Sequence, residues 1–384
     1  MKISFKPKAV AAFSVLFTLF TSSSYPQSLI YKNKSPKIQV AILLDVSNSM
    51  DGLIAQAKSQ LWNMVNILGR AKCNGITPEI EIALYEYGTP RNDARKGYVR
   101  QINGFCRDLD QVSKNLFALT TNGGDEYCGH VMYSSLTEMQ WDTSIKSYKV
   151  IFIAGNEDFL QGDVAFTKAC NEAKKRGVIV NTIYCGDRIQ GIQEHWNLGS
   201  ECGNGSYTNI NQDAKEDDIP TPYDTELIAL NNKLNDTYIT YGYAGSANLA
   251  KQAEVDKMNF ADSKKTAAKR IAVKGQSGLY KNSSWDLVDA GDEDSTVIAK
   301  VDKKYLPDSL RKKSTKELQA IVLKKKQERS FIQNKIEATV ASREKYILEE
   351  KRKNRSANNN APTLESEIEK IIRGQVKRFG MEIK

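Results

Sequence analysis

Histidine is nearly absent: the 384 residues hold two, His130 and His195. No HExxH helix and no GxSxG turn occurs either, which removes the common zinc-protease and serine-hydrolase arrangements. Cysteine is sparse. The six (Cys73, Cys106, Cys128, Cys170, Cys185, Cys202) contain no CxxC pair, so a zinc site has little to stand on. None precedes Cys73, which leaves no thiol near the N-terminus for lipid attachment. Beyond residue 27 no run of 18 apolar residues appears, so nothing reads as a membrane-spanning helix.

What is present begins with Lys2, Lys6 and Lys8, an apolar run over residues 9–20, and Ser22, Ser23 and Ser24. This layout predicts a cleavable signal peptide over residues 1–27 and a mature chain that is periplasmic or secreted. An oxidising compartment permits disulfides, but sequence alone does not choose the pairing. Cys185 with Cys202 is the favoured pair, since both flank one connection; free buried thiols are the alternative. The formal charge is +9, unevenly spread. Residues 300–384 hold 23 Lys and Arg against 12 Asp and Glu, and the leader adds +3, leaving residues 28–299 at −5. A basic tail on a mildly acidic body suits an anionic envelope surface or a solvated helical face.

Residues 38–52, IQVAILLDVSNSMDG, organise the chain. The apolar run 38–44 reads as a strand buried on both faces of a parallel sheet. Asp45, Ser47 and Ser49 then fall on alternate residues, so their oxygens can converge. From Leu53 through Ala57, Leu61, Met64, Val65 and Leu68 the spacing becomes helical. A carboxylate and two hydroxyls suit a hard divalent cation. The competing reading is local: Ser49 caps the helix and Asp45 complements its dipole. A calcium loop does not fit, because Gly52 is two residues late and Gln56 holds the twelfth position.

Strands follow at 79–88, 98–105, 148–154, 178–185 and 205–211, and helices at 109–119, 126–139, 164–176 and 189–199. The alternation predicts an α/β fold: a doubly wound, mostly parallel sheet with helices on both faces. Ligands gather at the carboxyl ends of such strands, where strand order reverses. Three polar loops arrive there, at 45–49, 120–125 and 155–158. Residues 212–223 read as a linker and 224–299 as a mixed helical extension, with one helix over 247–272. Residues 300–355 form a long basic helix. Its apolar residues Leu318, Val322, Ile332, Ile336, Val340 and Ile347 recur near a period of 3.5, interrupted by Lys325, Arg329 and Arg343. A coiled coil and an antiparallel pack onto another helix both fit. Residues 363–384 end the chain with an amphipathic helix.

The strand–DxSxS–helix unit resembles a von Willebrand factor A domain with a metal-ion-dependent adhesion site, over residues 36–211. The segments GGDEYCG, FIAGNEDF and GNGSYTNI are similar to a bacterial secreted subgroup. The resemblance implies Mg²⁺, or Mn²⁺ or Ca²⁺ in its place, on Asp45, Ser47 and Ser49. Two family positions depart. Asp125 stands where a second-loop threonine follows Gly-Gly, with Thr120 and Thr121 earlier in that loop. Gly155 stands where the third loop carries aspartate. Asp125, Thr121 and Glu157 are therefore candidates to complete the site, with Asp158 beside them; the alternative is a retained fold with weakened metal binding.

The function expected is a non-enzymatic binding module whose ion engages an acidic group of a protein partner. Oligomerisation would run through the C-terminal helices, and no nucleic acid is expected as a partner, since secretion removes it and the basic helix has few interleaved aromatics. A structural envelope spacer and a metal-assisted hydrolase are the competing readings.

Overall fold

In a computed structural model, residues 1–2, 36–211, 219–353 and 364–383 are described. The expected signal peptide, beyond its first two residues, and residues 212–218 of the linker lie outside them. β1 (Lys37–Asp45), β3 (Glu79–Tyr87), β4 (Arg100–Cys106), β5 (Tyr148–Gly155), β6 (Ile179–Cys185) and β7 (Tyr207–Ile210) form one sheet in the order β4-β3-β1-β5-β6-β7. All neighbours are parallel except β3 and β4, which form the antiparallel edge. The sheet is thus the doubly wound, mostly parallel one expected, with its order reversing between β1 and β5.

Helices cover both faces. On one side α1 (Asp51–Gly69) and α2 (Leu109–Phe117) pack on Val40, Leu44, Val150 and Phe152. On the other, Ala41, Leu43, Ile151 and Ile153 meet α3 (Cys128–Glu138), α4 (Phe166–Arg176) and Trp196. The run 38–44 has apolar residues on successive positions because its side chains alternate between two dry cores.

Three element boundaries differ from the spacing. Residues 189–199 are two short helices, α5 (Arg188–Gln193) and α6 (Trp196–Cys202), broken at His195 with φ +63°. Residues 247–272 divide at Ser263 into α8 (Gly245–Asp262) and α9 (Lys264–Gly275), Ser263 Oγ accepting from Thr266 N. The long helix, α13 (Thr315–Lys353), starts later than expected. Before it come α7 (Asp224–Asn235), α10 (Leu287–Glu293), α11 (Thr296–Lys300) and α12 (Asp308–Arg311).

The expected Cys185–Cys202 bond is not the one formed: Cys170 bonds Cys202, and Cys185 is a free buried thiol. The reason is which face each sulfur occupies. Cys185 lies in the core under α1, whereas Cys202 ends α6 on the opposite face beside Cys170 of α4.

α13 packs on α7, α9 and α10 of its own chain. Its arginines break the 3.5-residue period because they carry buried ion pairs. Arg329 reaches Asp286 and Asp289 at 2.7 and 2.6 Å, and Arg343 reaches Asp224 at 2.7 Å. Deeper still, Arg270 of α9 is 1% exposed and bridges Asp110 of α2 at 2.7 Å and Asp256 of α8 at 2.6 Å. Its guanidinium lies 4.8 Å from the Trp62 ring of α1.

The terminal helix α14 (Leu364–Gln375) returns to the sheet. Leu364, Ile368, Ile371 and Ile372 join the core under α1, and Gln375 accepts from the Tyr148 hydroxyl at 2.9 Å. β8 (Met381–Ile383) then pairs antiparallel with β2 (Ala71–Cys73). Glu365 anchors the start of α14 between Lys265 and Lys269, at 3.1 and 2.9 Å. Burial alone would raise its pKa, but those lysines outweigh burial and hold it at about 2.

Two outcomes follow from this packing. Arg270→Met leaves the buried Asp110 carboxylate without its cation and Asp256 with Lys274 alone, and should cost about 3–5 kcal/mol in denaturant unfolding, with Arg270→Lys recovering only part. Glu365 has a folded pKa below its unfolded one, so its contribution is whole above pH ~4.5 and is lost as pH falls towards ~2. Amide exchange in α14 should accelerate over that window in the wild type and be already fast at neutral pH in Glu365→Gln.

Candidate metal centre at the carboxyl edge of the sheet

Asp45 is the last residue of β1 and is fully buried. One carboxylate oxygen, Oδ1, accepts from Ser47 N at 2.7 Å. The other, Oδ2, has no hydrogen-bond partner. Buried acceptors are rarely left so, because each costs the desolvation it has already suffered. Burial is the largest cause raising the Asp45 carboxyl to about 7, with Glu157 adding to it.

The two serines follow on the turn. Ser47 precedes a short 3₁₀ turn (Asn48–Met50) but its side chain caps nothing, and α1 has no side-chain cap at Met50. Helix capping therefore does not account for DxSxS. Ser47 Oγ lies 3.3 Å from Ser49 Oγ, and Ser49 Oγ accepts from Asn156 Nδ2 at 3.2 Å. The third loop is thereby brought to the first.

The second loop is held by Asn122 N donating to Val46 O at 2.8 Å and by Arg91 Nη1 donating to Thr120 Oγ1 at 2.8 Å. Thr121 donates to Asp51 at the start of α1. Asp125 is exposed, 3.4 Å from the Tyr127 hydroxyl. Glu126, 7% exposed, is the residue of this loop that faces Asp45. Burial and then the charges of Asp45 and Glu157 raise it to about 8, while a hydrogen bond from Ser47 opposes the rise. Alternation along an extended segment turns one of two adjacent acids inward and the other out. The sequence offered the pair Asp125-Glu126 but nothing to say which faced in.

Glycines clear this space. Gly88, at φ +82°, stands where a Cβ would meet Asp45 Oδ1 and Glu126 Cγ, each at 2.8 Å. At Gly155, the end of β5, a Cβ would lie 2.6 Å from the Tyr87 hydroxyl and 3.0 Å from Asp45 Oδ2. Tyr87 is wholly buried and donates to Ala154 O at 2.9 Å. The space a side chain at Gly155 would need is thus taken by a tyrosine hydroxyl, and a carboxylate, that of Glu126, enters beside Asp45 from the second loop. Glu157 is exposed on the rim; its carbonyl accepts from Trp196 Nε1 at 2.7 Å. Asp158 pairs with His195 Nδ1 at 3.0 Å.

Among the described residues no three His, Cys, Asp or Glu side chains converge closely enough to hold an ion by themselves. The donor set that fits a cation is mixed: an orphaned buried carboxylate oxygen, a second inward carboxylate and two hydroxyls. All are hard oxygens, the set that suits Mg²⁺, Mn²⁺ or Ca²⁺.

No protein-family model matches the chain, and no curated protein does. Among solved structures it is similar, over 46% of its length, to the VWA domain of SpRpn10, with 12% identity, TM-score 0.35 and 88% of that chain covered. It is likewise similar to a von Willebrand factor type A protein from Catenulispora acidiphila (14%, 0.34) and to proximal thread matrix protein 1 from the mussel byssus with a zinc-occupied MIDAS motif (12%, 0.34). The chain spans only 39% and 42% of those two. Likeness at this level adds nothing to what strand order and loop chemistry establish.

Gly155→Asp, which places an aspartate at the end of β5, should not create a better site. We expect it to destabilise the fold by about 1–3 kcal/mol through overpacking against Tyr87. Adding Tyr87→Phe should recover part of the loss in urea unfolding. A neutral Gly155→Asp would show that Tyr87 leaves the place open.

Proposed function

We propose that the protein is a binding module of the A-domain type, in which a divalent cation at the carboxyl edge of the sheet accepts an acidic side chain of a protein partner. The observation that supports this is the unanswered Oδ2 of buried Asp45, on a loop whose Ser47 and Ser49 hydroxyls lie together and into which Glu126 enters beside Gly88. Asp45, Ser47, Ser49 and Glu126 would hold the ion, with Thr121, Asp125 and Glu157 on the rim. The ion would supply a positive charge that few protein carboxylates neutralise, and so a vacancy for an external carboxylate.

The Cys170–Cys202 bond supports the reading of an exported, periplasmic or secreted chain. Because α13 packs on its own chain, a projecting stalk has little to recommend it. For hydrolysis a base would be needed at the ion, and His195 pairs with Asp158 rather than with Asp45, Ser47 or Ser49. We therefore keep the binding reading.

Calorimetric titration of the mature protein with Mg²⁺ or Mn²⁺ should give one site. Asp45→Ala should weaken it by more than about a hundredfold, the upper end of what losing a mere outer-shell partner costs. A protein captured from an envelope extract should be released by chelation and missed by Asp45→Ala. Capture indifferent to both would end the metal-mediated reading.

A further inference from the structure

The buried charges between α7, α8 and α9 include a nucleophile set against an amide. Lys274, the penultimate residue of α9, is wholly buried, and its Nζ donates at 2.7 Å to Oδ1 of Asn235, the last residue of α7. Two other side chains close on the same amide. Asn235 Nδ2 donates to Asp256 Oδ2 of α8 at 2.7 Å, and Gln252 Nε2 donates to Asn235 Oδ1 at 3.2 Å. Asp256 also accepts from Lys274 Nζ, with its two oxygens at 3.1 and 3.0 Å. One carboxylate thus touches both the amine and the amide nitrogen that the amine would displace.

Charge pairing alone does not account for Lys274. Arg270 already answers Asp256 at 2.6 Å, and a second buried cation carries its own desolvation cost. Burial is the largest influence on Lys274 and, with Arg270, outweighs Asp256; the ammonium comes down to about 8, where half of it is neutral and nucleophilic. Burial would raise Asp256, but Lys274 and Arg270 outweigh it and keep that carboxylate ionised. Because a carbonyl bond is about 1.2 Å long, Nζ lies within about 4 Å of Asn235 Cγ. Attack needs about 3–3.5 Å, a shift that the last torsions of a lysine supply.

We infer that Lys274 and Asn235 join in an intramolecular amide cross-link, with Asp256 as proton carrier and Gln252 as the donor to the carbonyl oxygen. The electron pair of neutral Nζ forms the new bond to Cγ while the carbonyl pair moves onto Oδ1, held there by Gln252 Nε2. Asp256 takes one proton from Nζ and delivers it to Nδ2. The carbonyl then re-forms, the Cγ–Nδ2 bond breaks, and its pair leaves with ammonia. A secondary amide and one ammonia are the products, and no further reactant is consumed. Both reactants are fixed by their helices, a placement worth effective molarities of about 10⁵–10⁸ M. Afterwards Arg270 and Asn231, at 2.6 and 2.9 Å, still answer Asp256. The link would tie α7 to α9 by a bond that reducing agents leave intact, unlike Cys170–Cys202.

The full mature chain, reduced, is weighed by mass spectrometry and mapped with trypsin. It should be lighter than its sequence by one ammonia. Trypsin should fail to cut after Lys274 and should release peptide 234–251 joined to peptide 271–281. Lys274→Arg keeps a cation in the network; it should show the full mass and a lower Tm in reducing buffer. The wild-type mass and peptide decide the matter even where that variant does not fold. A wild-type chain of full mass overturns the inference. So does an ammonia loss that maps to an Asn-Gly pair such as Asn103-Gly104 or Asn122-Gly123, where an asparagine can close on its own backbone.

Discussion

A carboxylate that the fold buries and only half satisfies is the constraint around which this protein is arranged. Asp45 ends the central strand, where the sheet order reverses, and its Oδ1 is fixed by the backbone two residues on. Its Oδ2 is left without a hydrogen-bond partner. Burial makes that lack expensive, and neighbours of the same sign make it more so: Asp45 rises to about 7 and Glu126 to about 8. A fold that only had to be stable would place an apolar residue or a donor there. Gly88 and Gly155 instead give up their side chains so that the oxygens have room.

The helical half holds the domain from outside. Arg270 is the tie: buried between Asp110, Asp256 and the Trp62 ring, it joins α9 to α1, α2 and α8 through groups that cannot be deleted singly without stranding a charge. α14 adds an apolar seam on the sheet face beneath the metal loop, lining an apolar space with Leu44, Leu53 and Ala154. The end of the chain is therefore part of the core that positions the first loop, although some 150 residues separate it in sequence from β7. The site and the far C-terminus depend on one packed layer.

Much of this was legible in the residues. The double-faced apolar run before Asp45 and the alternation of strands and helices are local signals, and they gave the sheet and the placing of its three loops. Less legible was whatever depends on which way a side chain turns after the backbone is fixed. Asp125 and Glu126 are adjacent acids, and only the path their loop takes past Gly88 sends Glu126 inward. Cys185 and Cys202 flank one connection, yet a strand and a helix on opposite faces hold them apart. Gly155 read as the loss of an aspartate, whereas the structure fills its place with the hydroxyl of Tyr87, from β3 on the far side of β1 and far away in sequence. The arginines of α13 looked like defects in a heptad because their partners, Asp224, Asp286 and Asp289, come from distant helices.

The central claim is that an ion sits on Asp45, Ser47 and Ser49 with Glu126 in place of a third-loop carboxylate. Crystals of the mature protein soaked in Mn²⁺ and measured at the manganese absorption edge test it directly. The account predicts one anomalous peak bounded by the Asp45 carboxylate, the Ser47 and Ser49 hydroxyls and the Glu126 carboxylate. A peak elsewhere, or none at a Mn²⁺ concentration that saturates the calorimetric site, would contradict it.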